Sequence, residues 1–215
     1  MSNSELVNYT KISPNSNNPR NHEIDKLTIH HAAAVNITVE SLGAGFADPA
    51  RQASSNYGVG SDGRIALFVD EANRSWCSSS RENDHRAITI EVINDGGAPD
   101  WHVSDKALAA VIDLCVDICQ RNGIEKLNFT GDASGNLTLH KYFAATLCPG
   151  PYLESKMPYI AEEVNRRLMA ADETAEDVLY CVQMGAFRVR ENAVAQLEKA
   201  RAAGFDDAFI VTKAR

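Results

Sequence analysis

The sequence predicts an α/β protein: a mixed central β-sheet flanked by helices, followed by a small C-terminal βαβ unit. Short β-branched runs alternate with segments of helical period along residues 26–168. Two of those runs are joined by a tight Ser-Asp-Gly turn, so the sheet contains a hairpin as well as crossovers. Beyond a polar break at residues 169–177, strand, helix and strand patterns recur once more.

Taken in order, residues 1–25 are polar with Pro and Asn clusters and predict a wrapped arm or a loose lead-in. "KLTIHHA" reads as a strand, and "ITVESLGAGF" as a short helix ending near Gly43 to Gly45. "NYGVGSDGRIALFVD" is the hairpin, and "RAITIEVIND" a further strand closed by Asn-Asp-Gly-Gly. "SDKALAAVIDLCVDICQRNG" is the clearest helix, with Ser104 as N-cap and Gly123 as its stop. "LNFTGD" reads as a short strand and "YLESKMPYIAEEVNRRL" as the last helix of the first domain, residues 1–168. Residues 169–177 read as a linker. In residues 178–215, "VLYCVQMGAF", "ENAVAQLEKARAAG" and "DDAFIVTK" predict strand, helix and strand. A unit of about 39 residues is too small to bury a core alone, so it must pack on the first domain or on another copy of itself.

A chain that is 44% hydrophobic and 23% charged reads as globular and soluble. No apolar h-region opens it and no run approaches the roughly 20 apolar residues of a membrane span. The expectation is synthesis in the cytoplasm without a signal peptide. A net charge of −8 argues against nucleic acid or an anionic surface as an electrostatic partner. Five cysteines, an odd number without a framework, read as reduced thiols. Cys115 and Cys119 lie one turn apart in an apolar helix and read as core.

The chemistry gathers around "LHKYFAATLCPG", which places His140 and Cys148 eight residues apart. One continuous helix would hold them roughly 12 Å apart, too far to share a ligand. Pro149 disfavours helix at the residue before it and Gly150 frees the turn after it, so the chain can swing Cys148 back. A third donor lies in "LTIHHAAA". Side chains alternate on a strand, so His31 falls with Leu27 and Ile29 while His30 shares the other face with Thr28. Two structural histidines are the alternative, but with the downstream pair in view His30 is the candidate ligand. Two imidazoles and a thiolate suit zinc, with a fourth position left for water. Glu91 interrupts the apolar run "AITIEVI", where it is either a costly buried carboxylate or an outward-facing residue.

Together, "LTIHHA", "SSNYGVGSDGRI", "HRAITIEV" and "LHKYFAATLCPG", in that order, resemble the type-2 N-acetylmuramoyl-L-alanine amidases. These zinc enzymes share a fold with peptidoglycan recognition proteins and phage lysozyme-amidases. The resemblance covers residues 22–168. It implies one zinc held by His30, His140 and Cys148, and cleavage of the amide between N-acetylmuramic acid and L-alanine in peptidoglycan. It also implies a catalytic role for Glu91 and a place beside the metal for Tyr57, whose alternative is an ordinary core aromatic. Thr146 stands where related enzymes carry lysine or threonine, and its hydroxyl is a candidate oxyanion donor without positive charge. Leu147 is apolar where similar sequences have a polar residue. Arg86 and Asn94 flank the Glu91 strand as candidate substrate contacts, with surface salt bridging as the alternative. His85 and His102 fall in polar loops and read as solvated.

A phage or prophage endolysin, released through a membrane lesion, is the carrier that the resemblance and the missing signal peptide imply. "YCVQMGAFRVRENAVAQLEKARAAGFDDAFIV" resembles one half of a sporulation-related wall-binding module that recognises glycan strands. Only one half is present, so two chains are expected to pair as a homodimer, with a nonbinding oligomerisation tag as the alternative. Two rivals to the amidase reading are a peptidoglycan recognition module without turnover and a zinc peptidase. All three ligand positions are filled, which argues against the first, and no "HExxH" helix supports the second.

Overall fold

The computed structural model describes residues 2–176 and 182–212, with only the backbone for 172–176. It divides into units 1–173 and 174–215, each described by itself. The N-terminal stretch is the wrapped arm rather than a loose lead-in. Tyr9–Thr10 (β1) and Ser16–Asn17 (β2) each pair with a strand of the body. Polar residues hold this arm through the body's backbone. Buried Arg20 donates to the carbonyls of Glu71, Asn73, His85 and Ala87, and loss of water lowers its pKa to about 10.

Lys26–Val35 (β3) is the longest strand. Val39–Phe46 (α1) follows, with the Thr38 hydroxyl accepting from the Ser41 N–H at 3.2 Å. The helix includes Gly43 and Gly45 and ends at Phe46, close to the expected stop. Gly43 is a packing requirement, since a Cβ there would lie 2.8 Å from the Phe68 ring.

Tyr57–Val59 (β4) and Ile65–Leu67 (β5) form the expected antiparallel hairpin. Arg74–Ser75 (β6) pairs with β2, Arg81–Arg86 (α2) forms a short helix, and Ala87–Asn94 (β7) is the next long strand. Asp105–Asn122 (α3) has the caps read from the sequence: Ser104 Oγ accepts from the Ala107 N–H at 3.1 Å, and Gly123 takes φ +67°.

"LNFTGD" is not a strand. The Asn165 side chain takes both main-chain groups of Leu127, at 2.7 and 2.8 Å, in place of a ladder. The strand forms further on, at Leu137–Leu139 (β8). Gly150–Glu176 (α4) then runs through residues expected to be a linker. "MAADETAE" loses the apolar stripe, with Met169 and Ala170 exposed, but consists largely of good helix formers, so the helix continues. No described helix is long and apolar enough to cross a membrane.

The six-stranded sheet has the order β1-β5-β4-β7-β3-β8, parallel except for the β4–β5 hairpin. One face packs under α3 and α4: Leu27, Ile29, Ile88, Ile90 and Val92 share a cluster with Val111, Leu114, Ile118, Met157 and Val164. Cys115 and Cys119 are buried in this core, as expected. The other face is divided. Ile93 packs with Phe68, Val39, Leu42 and Phe46. Thr28 and Thr89 instead enter a buried polar network, with Thr28 Oγ1 2.9 Å from both Thr138 Oγ1 and Asn83 Nδ2, and Thr89 Oγ1 2.7 Å from Ser75 Oγ. His30 and Glu91 emerge on this same mixed face.

In the C-terminal unit the expected helix is present as Arg190–Ala202 (α5). Residues 178–181 and 213, parts of the two expected strands, lie outside the described residues. Residues 182–187 and 208–212 form no strand among the described residues. A strand needs a ladder partner, and a two-stranded pairing is marginal alone. Val182, Phe187, Phe209 and Val211 are exposed.

Asn165→Ala leaves the Leu127 backbone groups without their side-chain partner. Urea unfolding of this variant is expected to show a loss of about 1–2 kcal/mol.

Candidate metal centre

The centre begins with a register. β3 and β7 run parallel with Ile29 opposite Ile90 and His30 opposite Glu91. Both polar side chains therefore leave the sheet side by side on one face, as the alternation of "LTIHH" predicts. His31 goes to the other face, edge-on to Trp101 with ring centroids 5.2 Å apart.

β8 delivers the second histidine. The chain leaves Leu139 into a 3-10 turn over His140–Tyr142, and the His140 and His30 ring centroids come within 4.6 Å. The segment that follows is a closed loop and not a helix. The Lys141 N–H donates to the Cys148 carbonyl at 3.1 Å, and the Cys148 N–H donates to Thr146 Oγ1 at 3.2 Å. Gly150 turns the chain into α4 at φ +83°, where a Cβ would sit 3.0 Å from Trp101 Cβ. Cys148 is thereby returned to the sheet, its Sγ 3.8 Å from His30 Nδ1.

His30, His140 and Cys148 each place one donor atom within 4.8 Å of the other two. His30 Nε2 and His140 Nε2 are buried without a hydrogen-bond partner among the described residues. Unpaired buried nitrogens are costly, and a cation would satisfy them. Burial lowers the pKa of both rings, His30 well below the usual range, with the neighbouring histidines adding to the effect at His30. The rings are thus neutral, as ligands must be. Burial and then Glu91 push the Cys148 thiol up, so a bound cation would have to displace its proton to solvent. The His31 N–H donates to Cys148 Sγ at 3.4 Å and favours the thiolate. Zinc–nitrogen and zinc–sulfur bonds at a tetrahedral angle imply an N···S separation of about 3.5 Å, close to the separation here. The residues fit zinc.

Glu91 stands beside His30 with Oε2 buried and without a partner among the described residues and Oε1 3.9 Å from Cys77 Sγ. Burial raises its pKa from 4.5 to about 8, and the charge of Arg51 partly opposes this. Thr146 lies two residues from Cys148 within the same closed loop.

Three residues read from the sequence as site members lie elsewhere. Tyr57 stands opposite Ile90, and Gly58 opposite Glu91, so β4 turns a glycine toward the site and the tyrosine into the apolar core. The Tyr57 hydroxyl donates to Glu71 Oε1 at 2.5 Å and accepts from the Ser4 N–H at 3.0 Å. Arg121 of α3 pairs with Glu71 at 2.6 Å. Arg86 precedes β7, about 16 Å along the strand from Glu91, and its guanidinium is paired with Asp25. Asn94 is fully buried and donates to the carbonyls of Trp101 and His102 at 2.8 and 3.4 Å, which holds a loop rather than a substrate. The two histidines read as solvated are also engaged. His85 is buried in α2 and accepts from the Asn21 N–H, while His102 contacts Asp95 at 2.6 Å.

Cys77 was not legible as a member of the site. Nothing in "SWCSSS" distinguishes it; the Asp84 carboxylate places it by accepting the N–H groups of Cys77 and Ser78 at 3.1 Å.

These features define a mixed-sheet α/β protein in which two histidines and a cysteine that could hold a metal ion converge beside a carboxyl group. The chain belongs to the N-acetylmuramoyl-L-alanine amidase family, whose model matches residues 20–151. A SPOR domain model matches residues 176–215. Several solved structures are similar in fold. The Staphylococcus aureus hydrolase AmiA is 17% identical with a TM-score of 0.61, covering 80% of this chain and 87% of that one. A mutant endolysin from Bacillus subtilis is 20% identical with a TM-score of 0.54, covering 74% and 99%. The N-acetylmuramoyl-L-alanine amidase LysC from Clostridium intestinale is 20% identical with a TM-score of 0.50, covering 76% and 95%. No curated protein shows significant similarity to the chain.

Tyr57→Phe is expected to lower stability by about 1–3 kcal/mol in urea unfolding, since it strips a buried carboxylate and an N–H of a partner, while bound zinc stays unchanged. Chelator-treated protein should also report on Glu91. A carboxyl whose folded-state pKa exceeds its unfolded value binds its proton better when folded. Its contribution is therefore greatest below the unfolded pKa of 4.5 and is lost as pH rises through about 8. Glu91→Gln should remove that part of the pH dependence in thermal melts.

Proposed function

We propose that this member of the amidase family is a zinc-dependent peptidoglycan hydrolase that cleaves the amide between the lactyl group of N-acetylmuramic acid and L-alanine. The observation that carries the reading is a half-buried carboxyl, Glu91, whose Oε2 has no partner among the described residues, beside three convergent neutral donors, His30, His140 and Cys148. Zinc bound there would lower the pKa of its water from about 15.7 to about 7 and draw electron density from the scissile carbonyl. Glu91 accepts the proton that the attacking water gives up. It returns that proton to the L-alanine nitrogen as the C–N bond breaks, leaving a carboxylate on the lactyl group and a free amine on the peptide. Thr146 Oγ1 accepts from the Cys148 N–H, so its own proton is available for the developing oxyanion.

In this reading residues 1–168 form the catalytic domain, and 178–215 hold the protein on glycan strands of the wall. The exposed Val182, Phe187, Phe209 and Val211 support pairing of two chains through the C-terminal unit. A phage or prophage endolysin, made in the cytoplasm and reaching the wall through a membrane lesion, is supported by the endolysin among the structures of like fold. Thr146, where a lysine would bring charge to the oxyanion, favours one second reading: a wall-recognition protein without turnover.

The test is incubation with purified peptidoglycan and mass spectrometry of new chain ends. Free L-alanine amino termini on intact stem peptides, lost with chelator and restored by zinc, are expected. Sedimentation with the wall and no new ends would sink the catalytic reading in favour of recognition. Glu91→Gln should retain zinc and lower turnover by about 10²–10⁴-fold.

A further inference from the structure

We propose that Cys77 and Glu91, with His30 beside them, form a second cation site against the first, which excess zinc fills and thereby inhibits hydrolysis. This rests on the zinc amidase reading above. His30, Cys77 and Glu91 each place a donor within 4.8 Å of the other two. Zinc bound to a thiolate and a carboxylate at a tetrahedral angle holds the sulfur and oxygen about 3.5 Å apart. The Cys77–Glu91 pair stands at 3.9 Å, only slightly farther from that value than the His30–Cys148 pair of the first site at 3.8 Å.

The position is built. The Cys77 and Ser78 N–H groups both donate to the Asp84 carboxylate, which also accepts from Ser78 Oγ at 2.6 Å. The cysteine backbone therefore cannot drift from the cleft. His30 is fully buried, and its Nε2, like Glu91 Oε2, has no partner among the described residues. The Cys77 sulfur with a carboxylate oxygen suits zinc, cobalt or cadmium rather than magnesium or calcium.

Both donor sets contain His30, which can serve only one cation through a given nitrogen. The second cation then rests on Cys77 and Glu91, with water completing its coordination. Repulsion from the first cation makes it the weaker site, so it fills second. Once Glu91 is a ligand it can no longer take a proton from the attacking water.

Cobalt is the probe, because thiolate ligation gives a sulfur-to-cobalt charge-transfer band. Full-length protein carrying Cys181→Ser, which removes the thiol of the C-terminal unit, is chelated and titrated with cobalt while bound metal is measured by dialysis. One equivalent should produce the band from Cys148, and a second should raise it roughly twofold as hydrolysis falls. Cys77→Ser in the same background should keep the first step and lose the second. Alkylation followed by peptide mapping should show Cys77 protected only by the second equivalent, a readout that does not depend on the variant folding. A band complete at one equivalent, a second step that survives Cys77→Ser, or Cys77 still reactive at two equivalents would overturn the second site and leave the zinc amidase reading intact. No band at any equivalent would overturn both.

Discussion

The parallel pairing of β3 with β7 is the constraint on which the rest of the structure depends. Side chains alternate along a strand, so a slip of one residue would exchange every inward and outward group. In the observed register Leu27, Ile29, Ile88, Ile90 and Val92 all meet the helices, and His30 and Glu91 meet each other. The core thus enforces the site. A one-residue shift that separated His30 from Glu91 would also expose the apolar residues that hold the two strands under α3 and α4.

The face that carries the site accepts polar groups in two different ways. The Thr28 hydroxyl bonds Thr138 and Asn83 and the Thr89 hydroxyl bonds Ser75 and Asn56, a layer whose hydroxyls are satisfied although Asn83 Oδ1 has no partner among the described residues. His30, His140 and Glu91 likewise each keep a buried atom without a partner among the described residues. Unsatisfied buried groups lower stability, so their concentration beside a thiol marks where the fold has given up stability for chemistry. The same reasoning separates the site from the Tyr57–Glu71–Arg121 cluster, which is also polar and buried but is fully paired and fastens the N-terminal arm to α3.

Local signals explain which parts were legible. Ser104 and Gly123 bounded α3 because capping is decided within one turn of chain. The Ser-Asp-Gly turn announced the hairpin for the same reason. His30 was distinguishable from His31 because strand alternation is a local rule, and "CPG" told where the chain would turn back. Tyr57 was misplaced because its face depends on how β4 pairs with β7, which no residue near it encodes. Arg86 and Asn94 flank Glu91 in sequence, yet one begins the strand far from the site and the other is committed to the carbonyls of Trp101 and His102. "LNFTGD" had the composition of a strand, but Asn165, distant in sequence, took the main-chain groups of Leu127 that a ladder would have used.

The sequence by itself determined the fold class, through periodicity and turn chemistry, and brought His30, His140 and Cys148 forward as candidate metal donors through strand alternation and spacing. Glu91, in contrast, was set apart from an outward-facing residue only by the family resemblance. Only the tertiary structure decided which face Tyr57 occupies, that Cys77 stands beside Glu91, and that residues 169–176 continue a helix. The first two depend on pairings between segments far apart in the chain. The third depends on helix propensity persisting after the apolar stripe has ended, which is visible only once the neighbouring turns of α4 are in place.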